Sequence, residues 1–334
     1  MYSSTCKLID SLIEESNTER LCITSSKTSL RRELARLARS GELVSPWRGM
    51  YAGAEQWGDL KPLEQQRRVV RTLAKKHPDW VFCQLTAALM HGMEVSYRDL
   101  TPLHVAIGLD CHTKSNRKIL RHPLEGEEVV TADGVRVTTL KRTALDCLIE
   151  LDFRHGLAIA DSALRIGKMK RTELIKYIKA RADVLGWQSA LDAAAWANPL
   201  AANGGESIAR ATMIEQGYVV PKLQVEVPNI VDGSGKYYAD FYWELPDGTR
   251  VAGELDGLDK YYEPEMTGGR SAVRVMADER LRESRLGAAG LRVVRFSFAD
   301  VEDGEKFSKL LSAYGIPRGE ARYRGRRYGV SQGA

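Results

Sequence analysis

The chain has 334 residues and a net charge of +5, and its length is about twice that of a typical domain, which predicts two or three domains. Apolar residues make up 43% of the chain and charged residues 28%, a composition that is typical of folded globular proteins and excludes a disordered polymer or a fibre. The longest apolar stretches fall short of the roughly 18 residues that a membrane span needs, so we expect no membrane contact. The N-terminus lacks a secretion signal, and five cysteines without paired spacing are typical of reduced thiols, so we expect a cytoplasmic protein.

The first 57 residues show the pattern of two helices followed by a β-hairpin. A short amphipathic helix is expected near residues 8–13, and a leucine stripe predicts a second helix at about 27–40. Two short strands are expected at 43–44 and 49–52, with a turn at 46–48 between them. This order of elements predicts a winged helix-turn-helix domain at residues 1–57.

Positive charge is concentrated in this first domain. Between Arg20 and Met50, seven basic residues outnumber two acidic ones. The arginines of the second helix project away from its leucine stripe, so they can reach phosphates or guanine edges in a DNA major groove. We therefore predict DNA binding by Lys27, Arg31, Arg32, Arg36, Arg39 and Arg48. The alternative is a small helical domain with a charged exterior, since motif matches of this kind include false positives.

Residues 58–200 predict a mixed α/β middle domain. Helices are expected at 63–76 and 84–91, a strand at 103–107, and a β-hairpin that turns at 132–134. All six histidines of the chain lie in this section, but none has the spacing of a metal ligand, so packing or surface histidines are favoured. The section shows no catalytic constellation.

Residues 205–317 predict a helix, three antiparallel strands, a long helix and a last strand. The three strands are expected at 222–227, 237–243 and 251–255, and the last strand at 291–298. The last strand can pair with the third through a right-handed crossover, which gives a mixed sheet flanked by helices. The predicted fold class is therefore multidomain α+β, followed at residues 318–334 by a basic tail for which a solvated segment is the favoured interpretation.

Carboxylates lie on two neighbouring strands of this third domain. Asp240 is on the second strand, and Glu254 and Asp256 are two residues apart on the third, so strand alternation sends those two to one face. Asp240 and Glu254 can lie side by side among apolar neighbours, where unpaired carboxylates are costly unless a cation neutralises them. Oxygen ligands favour Mg²⁺ or Mn²⁺, which can polarise a phosphodiester and supply hydroxide. Glu206 is a candidate outer carboxylate, and solvated acids at strand ends are the alternative.

The absence of two residue types from the last part of the sequence restricts its chemistry. No histidine or cysteine follows His155. A hydrolase built from the third domain alone therefore has neither a histidine base nor a cysteine nucleophile, and a mechanism that uses carboxylates and a metal ion remains.

The third domain resembles the PD-(D/E)XK nuclease superfamily, in particular its compact branch similar to very-short-patch-repair endonucleases. The resemblance rests on spaced motifs that occur in order: Gly205-Glu206-Ser207, Gln224, Ala239-Asp240-Phe241, Gly253-Glu254-Leu255-Asp256-Gly257, Lys260-Tyr261, 279–283 and 290–295. It implies a metal-dependent DNA endonuclease with Asp240 and Glu254 as metal ligands. The usual lysine of the family, two residues after the glutamate, is here Asp256. The resemblance makes Lys260 a candidate for that role, and Glu279 and Arg282 candidates that complete the site.

The first domain is similar to the winged-helix domain of AbiEi-type antitoxins from abortive-infection systems. The similarity lies at Leu37, Gly41-Glu42-Leu43-Val44 and Trp47-Arg48-Gly49-Met50-Tyr51. The middle domain is similar to the segment after the winged helix in those proteins, at 87–92 and 142–146. Such proteins are typically bacterial repressors of a toxin operon, so the resemblance implies a DNA-binding regulator.

These observations leave three hypotheses. The leading one is a bacterial protein in which a winged helix directs a metal-dependent nuclease to phage or plasmid DNA. The second is a non-enzymatic repressor whose nuclease-like domain only binds DNA or a partner. The third is a toxin–antitoxin component that acts mainly through protein contacts. DNA is the expected partner, and a homodimer and a cognate toxin protein stay open as further partners.

Overall fold

The computed structural model describes residues 4–111, 113–124, 129–231, 233, 235–256, 281–319 and 323. The chain divides into two compact units, Met1–Thr143 and Ala144–Ala334. Helices and several sheets both contribute, so the fold class is α+β, as predicted. The predicted domain boundaries near residues 57 and 200 fall inside these two units. Among the described residues, no helix is both long and apolar enough to cross a membrane.

The first unit combines helices with two sheets. Its helices are α1 (Ser4–Thr18), α2 (Thr28–Ser40), α3 (Ala54–Gly58), α4 (Pro62–Lys76) and α5 (Gln84–His91), and α6 (Leu140–Glu150) crosses the boundary. Its strands are β1 (Leu43–Trp47), β2 (Met50–Gly53), β3 (Val81–Phe82), β4 (Leu103–Ile107), β5 (Ile119–Pro123), β6 (Val129–Ala132) and β7 (Val135–Thr138). β1 and β2 form an antiparallel pair, and the other strands form a sheet in the order β5-β4-β3-β7-β6.

Helix α2 matches the predicted leucine stripe. Leu34 and Leu37 are buried in a cluster that includes Ile9 of α1 and Leu43 of β1. The helix ends at Gly41, whose φ of +87° is a left-handed conformation that glycine adopts at little cost. The apolar face of α2 therefore packs inward, and its arginines remain on the outside.

The β1–β2 hairpin turns later than its sequence predicts. Trp47 pairs with Met50, so Pro46 and Trp47 belong to β1 and the turn consists of Arg48 and Gly49. Gly49 has a φ of +72°, which provides the conformation that a tight turn requires. The sequence prediction was wrong because it took Pro46 as part of the turn, although proline is tolerated in edge strands.

A network of charged side chains joins the start of the chain to α4 and to the β6–β7 hairpin. Arg71 of α4, with a side chain only 9% exposed, donates to Glu64 Oε1 at 2.9 Å and to Asp133 Oδ2 at 3.0 Å. Arg20 also donates to Glu64, at 2.9 and 3.1 Å. These bonds connect segments that are far apart in sequence, which explains why residues 1–57 and the elements after them belong to one compact unit.

The second unit contains a four-stranded mixed sheet. Its helices are α7 (Phe153–Ile166), α8 (Arg171–Lys179), α9 (Trp187–Ala194), α10 (Gly204–Glu215), α11 (Phe298–Glu302) and α12 (Gly304–Ala313), and residues 281–288 are also helical. Its strands are β8 (Lys222–Pro228), β9 (Lys236–Glu244), β10 (Arg250–Asp256) and β11 (Leu291–Ser297). The order is β11-β10-β9-β8, with β10 antiparallel to β9 and parallel to β11, as the sequence predicts.

Apolar clusters hold helices against this sheet. Phe241 of β9 and Phe296 of β11 are buried with Met213 of α10 and with residues of α11 and α12. A separate cluster contains Ala252 of β10 and Leu286 of the helical segment 281–288. The two central strands, β9 and β10, are therefore packed from both faces, and the predicted carboxylates lie on them.

A buried ion pair fixes α10 against α7. Arg210 Nη2 donates to both carboxylate oxygens of Asp161, at 2.9 and 2.7 Å. The two side chains are 2% and 0% exposed. Because a buried charge is strongly destabilising without its partner, this pair constrains the position of α10 and of Glu206 in its first turn.

Two histidines of the first unit meet on neighbouring parallel strands. Nδ1 of His104 on β4 lies 3.0 Å from Nε2 of His122 on β5, and Nδ1 of His122 lies 3.1 Å from Nε2 of Gln84. His104 is 6% exposed. Burial, together with the adjacent ring of His122, lowers the pKa of His104 to about 4. The pair joins two strands that are adjacent in the sheet, a contact that the spacing of histidines along the chain does not indicate.

Acidification is expected to destabilise the first unit through His104. Its folded-state pKa of about 4 lies below the ordinary value of 6.5, so the stability that the neutral ring provides is complete above 6.5 and falls as the pH drops towards 4. We expect a loss of about 2 kcal/mol between about pH 7.5 and about pH 5. Urea unfolding of the wild type at the two pH values measures it, with His104→Asn as the comparator. Equal pH dependence of the two proteins would contradict the assignment.

Candidate active site

Strand pairing brings Asp240 and Glu254 next to each other. The last register pair of β9 and β10 is Phe241 with Gly253. Asp240 and Glu254 are the next residues on these antiparallel strands. The amide of Leu255 donates to Asp240 Oδ2 at 3.3 Å, and the pKa of Glu254 is raised by burial and also by the charge of Asp240, so the two carboxylates are close to each other. This is the arrangement that the sequence predicts for these two carboxylates.

Glu254 is a buried carboxylate with an incompletely satisfied oxygen. The residue is only 5% exposed, and its Oε1 atom is buried without a hydrogen bond. Burial raises the pKa of Glu254, the cation of Arg282 opposes this rise, and the negative charge of Asp240 adds to it. A carboxylate therefore occupies a position where burial makes its negative charge unfavourable. Such positions are typical of residues that bind a cation or act in catalysis.

Asp240 is held by a backbone amide and by a glutamine. The amide of Leu255 on β10 donates to Asp240 Oδ2 at 3.3 Å, and Nε2 of Gln224 on β8 lies 3.4 Å from Oδ1. The same Nε2 atom lies 3.3 Å from Glu206 Oε2. Gln224 has a φ of +51°, an uncommon backbone conformation for a residue other than glycine, at the point where its side chain meets the two acids.

Glu206 also serves the N-terminus of α10. Its backbone amide donates to Asn203 Oδ1 at 2.9 Å, and its own carboxylate accepts from Asn203 Nδ2 and from the Ala202 amide, each at 2.8 Å. Glu206 therefore contacts Gln224, which also contacts Asp240, while its oxygens accept hydrogen bonds at the start of the helix.

Arg282, on the helical segment 281–288, reaches the buried acid. Its Nη2 atom lies 3.1 Å from Glu254 Oε1 and donates to the carbonyl oxygen of Tyr238 at 2.5 Å. The arginine side chain is 36% exposed and the glutamate side chain 7%. The guanidinium thus connects the buried carboxylate to solvent and places a positive charge beside the two acids.

Asp256 forms an ion pair with Arg295 of the neighbouring strand β11. The Nε atom of Arg295 donates to both carboxylate oxygens, at 3.0 and 3.1 Å, and its Nη2 atom contacts Oδ1. Sequence reasoning included Asp256 but did not assign Arg295 or Gln224 to the site. Both lie in segments that the sequence analysis singled out, but the alignment of β10 with β11 and of β8 with β9 was needed to place them.

The donor set at this site fits a hard divalent cation in part. Asp240 and Glu254 offer carboxylate oxygens. The buried Oε1 atom of Glu254 has no hydrogen bond, and a cation bound there would compete with the ion pair from Arg282. Within the described ranges, no group of three or more His, Cys, Asp or Glu side chains is arranged to hold a metal ion. Two predicted site residues, Lys260 and Glu279, lie outside the described residues.

The predicted DNA-binding side chains of the first unit lie on its surface. Arg36 pairs with Glu33 of the same helix at 2.8 Å, Arg31 donates to Thr28 Oγ1, and Arg39 donates to a backbone carbonyl one turn earlier. Arg48 forms part of the β1–β2 turn, close in sequence to α2. All six candidates occupy exposed positions: Lys27, Arg31, Arg32, Arg36, Arg39 and Arg48.

Comparison with known proteins gives relatives whose names state no activity. No protein-family model matches the chain, and no solved structure gives a significant match. The chain is 26% identical over 243 residues to the uncharacterized protein Rv2248 of Mycobacterium tuberculosis strain H37Rv. The aligned region covers 70% of this chain and 81% of the relative. The uncharacterized protein MT2308 of strain CDC 1551 gives the same values.

Neutralising the buried acid is expected to stabilise the second unit. Because burial makes the ionised form of Glu254 costly, we expect Glu254→Gln to unfold at a higher temperature than the wild type at neutral pH in EDTA. Millimolar Mg²⁺ or Mn²⁺ should raise the melting temperature of the wild type and leave that of Glu254→Gln unchanged. Calorimetric scans measure both effects.

Glu226 on β8 is a matched control. Its exposed carboxylate pairs with Lys236. Glu226→Gln should therefore have little effect on the melting temperature in EDTA, and little effect on the rise in melting temperature that the cation causes. A Glu254→Gln variant that melts below the wild type would contradict the cost assigned to this carboxylate.

Proposed function

We propose that this chain is a bacterial, cytoplasmic DNA-binding protein whose second unit hydrolyses DNA phosphodiester bonds with Mg²⁺ or Mn²⁺, in defence against phage or plasmid DNA. The observation that carries the proposal is the buried carboxylate of Glu254, which lies close to Asp240 and whose Oε1 atom has no hydrogen bond but an ion pair with Arg282 at 3.1 Å. The order and pairing of β8 to β11 support the resemblance to PD-(D/E)XK nucleases.

Each acid has a distinct role in this proposal. Asp240 and Glu254 would hold the cation, which polarises the phosphodiester and provides hydroxide at neutral pH when it is bound. The Leu255 amide and Gln224 orient Asp240. Glu206 acts through Gln224 and keeps the glutamine amide in place between two carboxylates.

The surrounding arginines complement the substrate. A phosphodiester is an anion, and guanidinium groups match its oxygens by donating paired hydrogen bonds. Arg282 is 36% exposed and can reach such a group while it remains close to Glu254. The exposed basic face of α2 and the adjacent β1–β2 turn support sequence-independent contacts with DNA phosphates and a winged helix-turn-helix domain.

The second candidate function is a non-enzymatic regulator similar to AbiEi-type repressors, with a cognate toxin or a second copy of the chain as further partners. One contact favours it, because Arg282 already provides a positive charge 3.1 Å from Glu254 Oε1. A nuclease-like fold that has replaced its cation by an arginine would bind DNA without cleaving it.

A cleavage assay separates these two functions. We expect the wild type to nick supercoiled plasmid DNA with Mg²⁺ or Mn²⁺ and not in EDTA, and Asp240→Ala and Glu254→Ala to lower the rate by about 100-fold or more. Glu226→Ala on β8 is the control and should cleave normally. Cleavage that survives both site substitutions would refute the site, and DNA binding without cleavage by the wild type would favour the regulator.

DNA binding is expected to depend on α2. We expect Arg31→Ala combined with Arg32→Ala to weaken binding to duplex DNA by about tenfold or more, and to lower the slope of log affinity against log salt by about 2. Fluorescence anisotropy in EDTA measures this. Lys176→Ala combined with Lys179→Ala removes two exposed positive charges from α8 and should have little effect. Unchanged affinity of the α2 variant argues against the winged-helix assignment.

A further inference from the structure

The tip of the β1–β2 hairpin contacts a second basic segment of the first unit. The ammonium group of Lys118 lies over the ring of Trp47, with Nζ 5.1 Å from the ring centroid. An aromatic ring attracts a cation in this position, so the contact orients the lysine side chain. Trp47 is the last residue of β1, and Arg48, which follows it, forms part of the turn. The segment that carries Lys118 therefore lies close to a predicted DNA-binding residue.

This segment is the loop between the parallel strands β4 and β5, and its charge is of one sign. Between Thr113 and Pro123 the sequence contains four lysines and arginines and no acidic residue. The side chains of Lys114, Arg117 and Lys118 are exposed. Among the described residues, none of these three forms an ion pair with an acid. Their positive charges therefore remain available to an anionic partner.

Hydrogen bonds hold the backbone of this loop in one conformation. Asn116 Oδ1 accepts from the Lys118 amide at 2.9 Å, and the guanidinium of Arg121 donates to the carbonyl oxygen of Lys114 at 2.7 Å. A loop that is already ordered loses less conformational entropy when it binds a partner. Neither bond uses the side chain of Lys114 or Arg117, so both side chains can be replaced without loss of these contacts.

A duplex nucleic acid fits this surface because the positive charges lie on several adjoining elements. Leu34 and Leu37 of α2 pack with Leu43 of β1 in one apolar cluster, so the exposed arginines of α2 belong to the same body as the hairpin. The loop adjoins that hairpin through Trp47. Phosphates follow one another along both strands of a duplex, and each one that a lysine or arginine neutralises adds to the affinity.

We propose that the loop 113–118 is a further DNA-binding element, in which Lys114, Arg117 and Lys118 bind phosphates of the duplex that α2 and the β1–β2 turn also contact. This inference rests on the proposed function for the identity of the partner. Trp47 is the positioning residue that holds Lys118 close to the turn. The DNA-binding surface thus extends beyond residues 1–57 into the α/β section that follows them in the first unit.

Removal of two charges from the loop tests the inference. We expect Lys114→Ala combined with Arg117→Ala to weaken binding to duplex DNA by about tenfold, and to lower the slope of log affinity against log salt by about 2. Fluorescence anisotropy in EDTA measures both and does not depend on cleavage. Lys176→Ala combined with Lys179→Ala removes the same charge from α8 and should change neither quantity by much. The melting temperature of the loop variant should stay close to that of the wild type.

Combination with the α2 variant separates this inference from the proposed function. Because the loop and α2 would neutralise different phosphates, the loop changes together with Arg31→Ala and Arg32→Ala should lower the slope by about 4 in total. If the α2 variant binds DNA weakly but the loop variant binds like the wild type, the inference is overturned and the proposed DNA binding stands. If the loop variant loses affinity and the wild type does not cleave DNA, the inference stands and the proposed nuclease fails. A wild type without affinity for duplex DNA overturns both.

Discussion

The buried carboxylate of Glu254 is the constraint that organises the charged side chains of the second unit around its central strands. The residue is 5% exposed, and Asp240 on the neighbouring strand adds a second negative charge. Two acids so close in an apolar environment need positive charge around them. Arg282 provides it from the helical segment 281–288 and Arg295 from β11, so the packing of both elements against β10 is coupled to the charge of the site.

The same contacts explain why one geometry supports two functions. In the proposed site, a divalent cation would compete with Arg282 for Oε1 of Glu254, an oxygen that has an ion pair but no hydrogen bond. If the cation binds more tightly, the two carboxylates become metal ligands and the arginine is released to meet a phosphate. If the arginine remains in place, the negative charge of Glu254 stays paired with Arg282 and the fold would serve only as a binding surface.

Much of the fold was predictable from local patterns, whereas the contacts that define the site were not. The β8–β11 order and the α2 stripe depend on alternation, turns and leucine spacing, which the sequence displays directly. The pairing of Asp256 with Arg295 depends instead on the register of two parallel strands joined by a long crossover. The same holds for Arg71 and His104, whose partners are remote in sequence. The predictions for Lys260 and Glu279 fall outside the described residues and stay predictions.

The most direct test of the account is to locate the cation. Anomalous diffraction from crystals soaked in Mn²⁺ would show where the ion binds and which atoms lie around it. The account predicts a peak within bonding distance of carboxylate oxygens of both Asp240 and Glu254, with Arg282 displaced from Oε1. A structure in which Arg282 still contacts Glu254 and the manganese peak lies elsewhere or is missing would contradict it.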